Sequence, residues 1–287
     1  STIAVIGSRN SYHIWDGFTI NSARTITNRT LGTAGSRLLG LVFENLTFSG
    51  CRNTQTPGDN TSPMYLTFVS GAVVRNCLFF DVNNGGGHNA AGVLMYNCDT
   101  CVIENNEIYD SESGIFLKDD CLNNIVRYNF VRDLRRWGIG VFSHNGHTHD
   151  GNLVHGNIAT RTTLDGIRVD EDGGSTTQNT TVRNNSIRTT GGTLGGLHVS
   201  SGSSNTQVWN NIIAIGGNFN DLIASNPALT FCDYQGVFQS GTGYAGTNNV
   251  LSNPLFVGPT FNNAVDFKLQ STSPMRANGR FGEDRGA

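Results

Sequence analysis

The sequence predicts an all-β solenoid of the parallel β-helix kind, and three observations carry that prediction. The 287 residues include 36 Gly and 34 Asn, well above the usual Gly share of roughly 7%. Both residues favour turns and left-handed backbone over helix interiors, which excludes a helical bundle. A short phrase built on Asn recurs along the chain, and a second phrase built on Gly interleaves with it. Only 14% of the residues are charged while 37% are hydrophobic, so a sizeable core can be buried and wholesale disorder is excluded.

The Asn phrase is an apolar pair, a polar residue, one or two Asn, and a further apolar residue. It reads LVFENLTF (41–48), VVRNCLFF (73–80), VIENNEIY (102–109), IVRYNFV (125–131), LVHGNIA (153–159), TVRNNSI (181–187) and QVWNNII (207–213). Aligned, the last five place Asn106, Asn129, Asn157, Asn185 and Asn211 in one column, at intervals of 23, 28, 28 and 26 residues. The Gly phrase is Gly-apolar-x-apolar: GVLM, GIFL, GIGV, GIRV and GLHV begin at Gly92, Gly114, Gly138, Gly166 and Gly196. Two short strands of period 2 and a turn column of Asn describe one coil, which needs stacked neighbours to bury its apolar edge. Coils rise by one inter-strand spacing, ~4.8 Å, so inward Asn side chains in one column can bond amide to amide and satisfy turn backbone groups. Residues 52–63 and 216–249 break the pattern and read as excursions. One domain is expected over 1–287, with 216–287 as irregular C-terminal coils and cap.

The net charge of −3 offers no basic surface for nucleic acid. Of 19 basic residues only Lys118 and Lys268 are lysine. No apolar run approaches the ~20 residues that cross a bilayer, so no membrane insertion is expected. The chain opens at Ser1 inside an apparent strand, STIAVIG, which reads as a mature or trimmed form of a secreted or cell-surface protein. Six cysteines are too scattered for a disulfide framework. Cys98 and Cys101 form a lone CxxC, for which a buried cysteine stack, or one disulfide between neighbouring coils, is expected ahead of zinc.

Alternation along a strand sends the apolar pair of each Gly phrase inward and the residues between and after it outward. One outward column then holds Leu94, Phe116, Gly140, Arg168 and His198, and a second holds Tyr96, Lys118, Phe142, Asp170 and Ser200. Two residues further on, Cys98, Asp120, His144, Asp172 and Gly202 share a column, beside Asn97, Asp119, Ser143, Glu171 and Ser201. The loop SHNGHTHD adds His147 and His149. Sugar rings stack on aromatic faces while polar groups orient them, so this strip suits a glycan lying across several coils. The run Asp120–His144–Asp172 would set a histidine between two carboxylates, an arrangement suited to acid–base work. The same residues also fit a plainer reading. DDC and DEDGG can be Asp-stabilised turns, and Lys118 and Arg168 can be solvated partners of Asp170 and Glu171, worth under ~1 kcal/mol each. The histidine run can be an exposed loop.

The repeated Asn phrase, and the ending NPLFVGPTFNNAVDFKLQSTSPMRANGRFGEDRGA, resemble secreted right-handed parallel β-helix proteins of the pectate lyase-like superfamily. That superfamily includes pectate and alginate lyases, chondroitinase B, mannuronan C5-epimerases and polygalacturonases. The resemblance covers the chain from about Ile14 onward. It implies a single-stranded right-handed parallel β-helix, a carbohydrate-active role and a polysaccharide substrate, with calcium as a candidate cofactor and no metal ligands assigned.

Its Lys/Arg pair implies β-elimination or C5-epimerisation of a uronate, with Lys118, His144 or His198 as base, Arg168 and Lys118 supplying charge and Tyr96 as a proton donor. Asp119, Asp120 and Asp170 complete the catalytic candidates. Tyr96, Phe116, Phe142, His147, Glu171, Asp172 and His198 are the candidates for substrate binding. NCD (97–99), DDC (119–121) and the histidine loop are similar to the carboxylate series of polygalacturonases, although GIRV lacks that family's Arg-Ile-Lys. That similarity implies inverting hydrolysis instead. A non-catalytic binding or structural β-helix is the third alternative.

Overall fold

The computed structural model describes residues 6–8, 11–21, 28–30, 32–51, 62–82, 90–189, 196–200, 202–215, 229–233, 236–238, 248–258 and 260–287. It is a right-handed solenoid of short strands, all parallel to their neighbours in the coils above and below. Among the described residues the strands form three long sheets of eight, nine and ten strands. Each coil therefore carries three strands, where the sequence suggested two. The extra strand lies inside the Asn phrase. Val102–Glu104 and Glu107–Ser111 are separate strands, and the corner between them is only Asn105, at φ 54°, and Asn106. A single left-handed residue turns the chain this sharply, and Asn or Gly adopts that backbone at least cost. The same corner recurs at Asn45, Asn76, Asn105, Tyr128, Gly156, Asn184 and Asn210, all with positive φ.

The Asn column forms as expected. Nδ2 of Asn106, Asn129 and Asn157 each donates to Oδ1 of the Asn one coil on at 3.0 Å, and Asn185 to Asn211 at 2.9 Å. Every acceptor oxygen also takes a backbone N–H, as Asn129 Oδ1 does from Asn106 at 3.1 Å. A second, shorter ladder at the preceding corner joins Asn124 to Asn152 at 3.1 Å. Buried backbone groups at both corners are thereby paired, which a solenoid interior requires.

The Gly phrases form the first sheet, in strands Ala91–Tyr96, Ser113–Lys118, Ile139–Ser143, Ile167–Glu171 and Leu197–Val199. Val93, Ile115, Ile139, Ile167 and Leu197 stack in register and are fully buried. Each such side chain contributes ~1.5–3 kcal/mol of burial. Cys51, Cys77, Cys98, Cys101 and Cys121 are free thiols in the interior, so for these five the buried alternative holds. Burial pushes the Cys77 thiol up to about 11 and the Cys51 thiol to about 12.

Leu229–Asp233 extends the second sheet, and Gly236–Phe238 and Val250–Leu251 extend the third. Beyond them the chain folds back, and Phe256, Phe261 and Phe267 pack on Phe130 and Ile158 of the third sheet. The only helices among the described residues are two single 3₁₀ turns, Ala264–Phe267 and Arg280–Gly282. Among the described residues no helix is long and apolar enough to cross a membrane. Most of the two expected excursions lies outside the described residues.

Candidate functional site

Both outward columns of the first sheet exist. Tyr65, Leu94, Phe116, Gly140, Arg168 and His198 align in register, as do Thr67, Tyr96, Lys118, Phe142 and Asp170. The columns differ in accessibility. Phe116 points outward but is buried, because Trp137 covers it edge-on at 5.3 Å and the bare Gly140 beside it leaves room for both rings. Phe116 therefore supports the face from beneath and cannot stack on a sugar, whereas Tyr96 and Phe142 stay half-exposed.

Lys118 lies at the centre of the face. Its Nζ stands 5.3 Å from the centroid of the Tyr96 ring and 6.0 Å from that of Phe116. Burial holds its ammonium below the usual lysine range, opposed by Asp119 and Asp172. Asp119 is itself buried, and burial raises its carboxyl while the His144 backbone N–H, donating to Oδ1 at 2.9 Å, pulls the other way.

The expected run Asp120–His144–Asp172 is divided into two pairs. His144 Nδ1 contacts the Asp172 carboxylate, while Asp120 takes His147 Nδ1 at 2.7 Å and the Thr148 N–H at 2.9 Å. The cause is a tight turn at Asn145 and Gly146, with φ 55° and 81°, which returns His147 to the coil below. The same loop then enters a small sheet, Thr148–Asp150 beside Thr176–Gln178, so it is not the plain exposed loop of the alternative reading. His149 is wholly buried, its Nδ1 3.1 Å from the Cys121 carbonyl, and burial lowers its pKa.

Cys98 is not an outward residue. Strand alternation stops at Asn97, whose φ of 51° turns the chain and sends Cys98 into the core. Gly202 sits against the Glu171 carboxylate, where any side chain would collide. Glu171 accepts from Ser200 Oγ and, at 3.1 Å, from Ser203 Oγ. Ser201 lies outside the described residues. Arg168 pairs with Asp170, but Asp170 is buried, so this is not the solvated pair of the plainer reading, and Arg168 also pairs with the fully buried Asp165 at 3.4 Å. Two carboxylates thus match one guanidinium. His198 follows Arg168 in register and is half-buried.

Four residues of this face were missed in the sequence: Glu112, Arg136, Trp137 and Asp165. Arg136 stands 4.1 Å above the Trp137 ring and Arg168 5.4 Å from it, so one indole meets two guanidinium groups. Burial lowers Arg136, with the Glu112 charge opposing. These residues precede the Gly of each phrase, in SESG, RRWG and TLDG, and the available signal was the charged or aromatic residue just before Gly114, Gly138 and Gly166. Among the described residues no three His, Cys, Asp or Glu side chains converge as a metal site would need.

Residues 16–187 match the family described as "Right handed beta helix region". No curated protein matches the chain. Among solved structures, a mutant DFA-IIIase from Arthrobacter chlorophenolicus A6 in complex with DFA-III is 16% identical with a TM-score of 0.52, over 79% of this chain and 57% of that one. The same enzyme in complex with GF2 gives 16% identity and a TM-score of 0.50, over 80% and 57%. XylC in complex with xylose gives 16% identity and a TM-score of 0.47, over 76% and 39%. This chain therefore spans little more than half of the DFA-IIIase structures, and the likeness is one of fold.

Proposed function

The chain belongs to the right-handed β-helix family, and we propose that it is a carbohydrate-processing member that abstracts the proton α to the carboxylate of a uronate polysaccharide. The observation carrying this reading is Lys118, an amine whose basicity burial has lowered, seated over Tyr96 on the outer face of the first sheet. A lysine shifted this way has a larger neutral fraction near neutral pH, as a general base needs. The neutral amine takes the C5 proton, and the C–H electron pair passes into an enolate on the carboxylate. From there the C4–O bond breaks and the leaving oxygen takes a proton from a ring nitrogen of His144, which Asp172 holds in place. Alternatively, the C4–O bond stays intact and His144 gives its proton to C5 on the face opposite Lys118, which keeps the proton it removed; this is epimerisation. Tyr96 and Phe142 would carry the sugar rings. Arg168, matched by Asp165 and Asp170, supplies hydrogen bonds rather than net charge.

Hydrolysis is the second reading, and Asp119 favours it. Its raised carboxyl could donate a proton near the Asp120 and Asp172 carboxylates, the division of roles that glycoside hydrolysis uses. A polysaccharide substrate would place the protein outside the cell or on its surface. No step here is routed through calcium, which enters only as a variable of the experiment. Alginate, pectate, chondroitin and neutral glycans are incubated with the protein, with and without calcium. Ultraviolet absorbance of unsaturated uronate ends, reducing ends and solvent exchange at C5 are read together. Absorbance or exchange supports the uronate reading; reducing ends without either support hydrolysis. Silence in all three channels refutes both and leaves a non-catalytic β-helix.

A further inference from the structure

A cavity of about 490 Å³ opens where the C-terminal segment folds back over the third sheet, and the chemistry above does not use it. Its size falls within the ~300–1,000 Å³ of small-molecule sites. Arg188 and Ala214 form the sheet side, and Leu255, Phe256, Phe261 and Gln270 form much of the opposite wall. The guanidinium of Arg188 lies 4.3 Å from the centroid of the Phe261 ring. Among the described residues Arg188 forms no salt bridge, unlike Arg161, whose charge is matched by Asp133 with Nη2–Oδ2 at 2.6 Å. Burial and the nearby Arg161 charge hold Arg188 below the usual arginine range. A half-buried cation beside another cation is electrostatically incomplete, because charges taken out of water are ordinarily paired.

The wall is held in a demanding shape. Leu255 and Phe261 have φ of 51° and 57°, left-handed backbone that disfavours residues other than Gly and Asn. Arg161 Nη1 donates to the Phe261 carbonyl at 2.5 Å. The Leu255 N–H donates to Asn253 Oδ1 and the Gln270 N–H to the Leu255 carbonyl, both at 2.9 Å. Two backbone positions and an aromatic ring are thus locked around an arginine that still has donors to offer.

We propose that this cavity binds a carboxylate-bearing ring of monosaccharide size, with the carboxylate on Arg188 and a ring face against Phe256 and Phe261. The guanidinium fork matches two carboxylate oxygens, and the aromatic walls select an organic acid over a small inorganic anion. The proposal stands independently of the reaction assigned to the first sheet.

Calorimetric titration of the full chain with glucuronate, glucose and inorganic phosphate tests it. Glucuronate is expected to bind and glucose to give no heat. Arg188→Gln should weaken glucuronate at least about tenfold, the usual loss for a charge-assisted pair. Arg188→Lys, which keeps the charge but loses the fork, should fall between the two. Should Arg188→Gln fail to fold, Arg188→Lys and Phe261→Leu carry the test. Lys118→Ala separates the two faces, because glucuronate binding at Arg188 should survive it. Equal affinity in the Arg188 variants, tighter binding of phosphate than glucuronate, loss of binding in Lys118→Ala, or no heat with glucuronate would each overturn the proposal.

Discussion

Gly156 lies directly against the ring of Tyr128 one coil away: a methyl group on it would stand 2.6 Å from both Cδ1 and Cε1. Both residues occupy the left-handed corner, at φ 65° and 57°. Gly156→Ala therefore meets two penalties, the backbone one of ~1–2 kcal/mol and the collision with the ring. In a Tyr128→Asn background only the first should remain. Urea unfolding of the four proteins gives the coupling, and equal destabilisation in both backgrounds would mean that the ring simply moves aside.

Asn129 holds the middle of the amide ladder. It donates to the Ile103 carbonyl at 2.9 Å and to Asn157 at 3.0 Å, and accepts from the Asn106 backbone and side chain at 3.1 and 3.0 Å. Asn129→Ala leaves several buried groups without partners and should destabilise by about 3 kcal/mol. Asn→Ala at Asn45, an exposed corner whose Nδ2 bonds Asp16 at 2.8 Å, should have a much smaller effect. Denaturation midpoints decide it, and similar losses at the two sites would count against the ladder as a structural device.

Stability should depend on pH through His155, which stacks between Arg127 and Arg183 on the second sheet. Burial, then Arg183, then Arg127 bring its pKa down to about 4. An unfolded histidine titrates near 6.5, so between these values the unfolded chain binds more protons and stability rises with pH. The contribution is complete above about pH 6.5 and is lost as pH falls towards 4. His149, lowered by burial, acts in the same direction. His155→Gln should flatten the profile of unfolding midpoint against pH over this window, and an unchanged slope would assign the effect to other groups.

If Lys118 is the base, Lys118→Ala should lower kcat/KM by ~10²–10⁴ with an unaltered Tm. The rate should rise with pH through a value below the ordinary lysine range, since burial depresses this amine. Asp172→Asn should have a smaller effect, because Asp172 acts by orienting His144. A Lys118→Ala protein that retains full turnover would remove the lysine from the mechanism.

The five buried free cysteines named above should resist thiol reagents while the protein is folded. Their burial keeps reagents out, and for Cys51, Cys77, Cys98 and Cys121 it also pushes the thiol up and so disfavours the thiolate that reacts. Alkylation followed by peptide mapping should find Cys51, Cys77, Cys98, Cys101 and Cys121 unmodified until denaturant is added. Early labelling of Cys98 would mean that the first corner opens readily.

The stacking direction was readable because its signal repeats: Asn106 to Asn211 and Gly92 to Gly196 recur at coil spacing, and each has one physical role. The third strand was hidden because a corner of two residues, such as Asn105–Asn106, leaves no gap in the apolar pattern. The second ladder was hidden for another reason. Asn124 and Asn152 are followed by Thr180 and Thr206, so the column does not keep one residue type. On the face itself, alternation placed Tyr96, Lys118, Phe142 and His144 correctly and failed at Cys98 and at Asp120, which meets His147 instead of His144; both lie at left-handed turns. Contacts made by loops, such as Trp137 over Phe116, have no period and left no trace in the repeats.

The coils also make length a stepwise variable. Asn129, Asn157 and Asn185 are 28 residues apart, as are Asn124, Asn152 and Thr180, and Gly138 and Gly166. Duplicating one such block would advance both ladders and the Gly phrase together, leaving every inward side chain over its counterpart. The molecule would grow by one whole step of ~4.8 Å, with its corners, core and pairing pattern copied rather than redesigned. Tandem duplication of a single 28-residue block therefore gives this architecture a ready route to a longer surface.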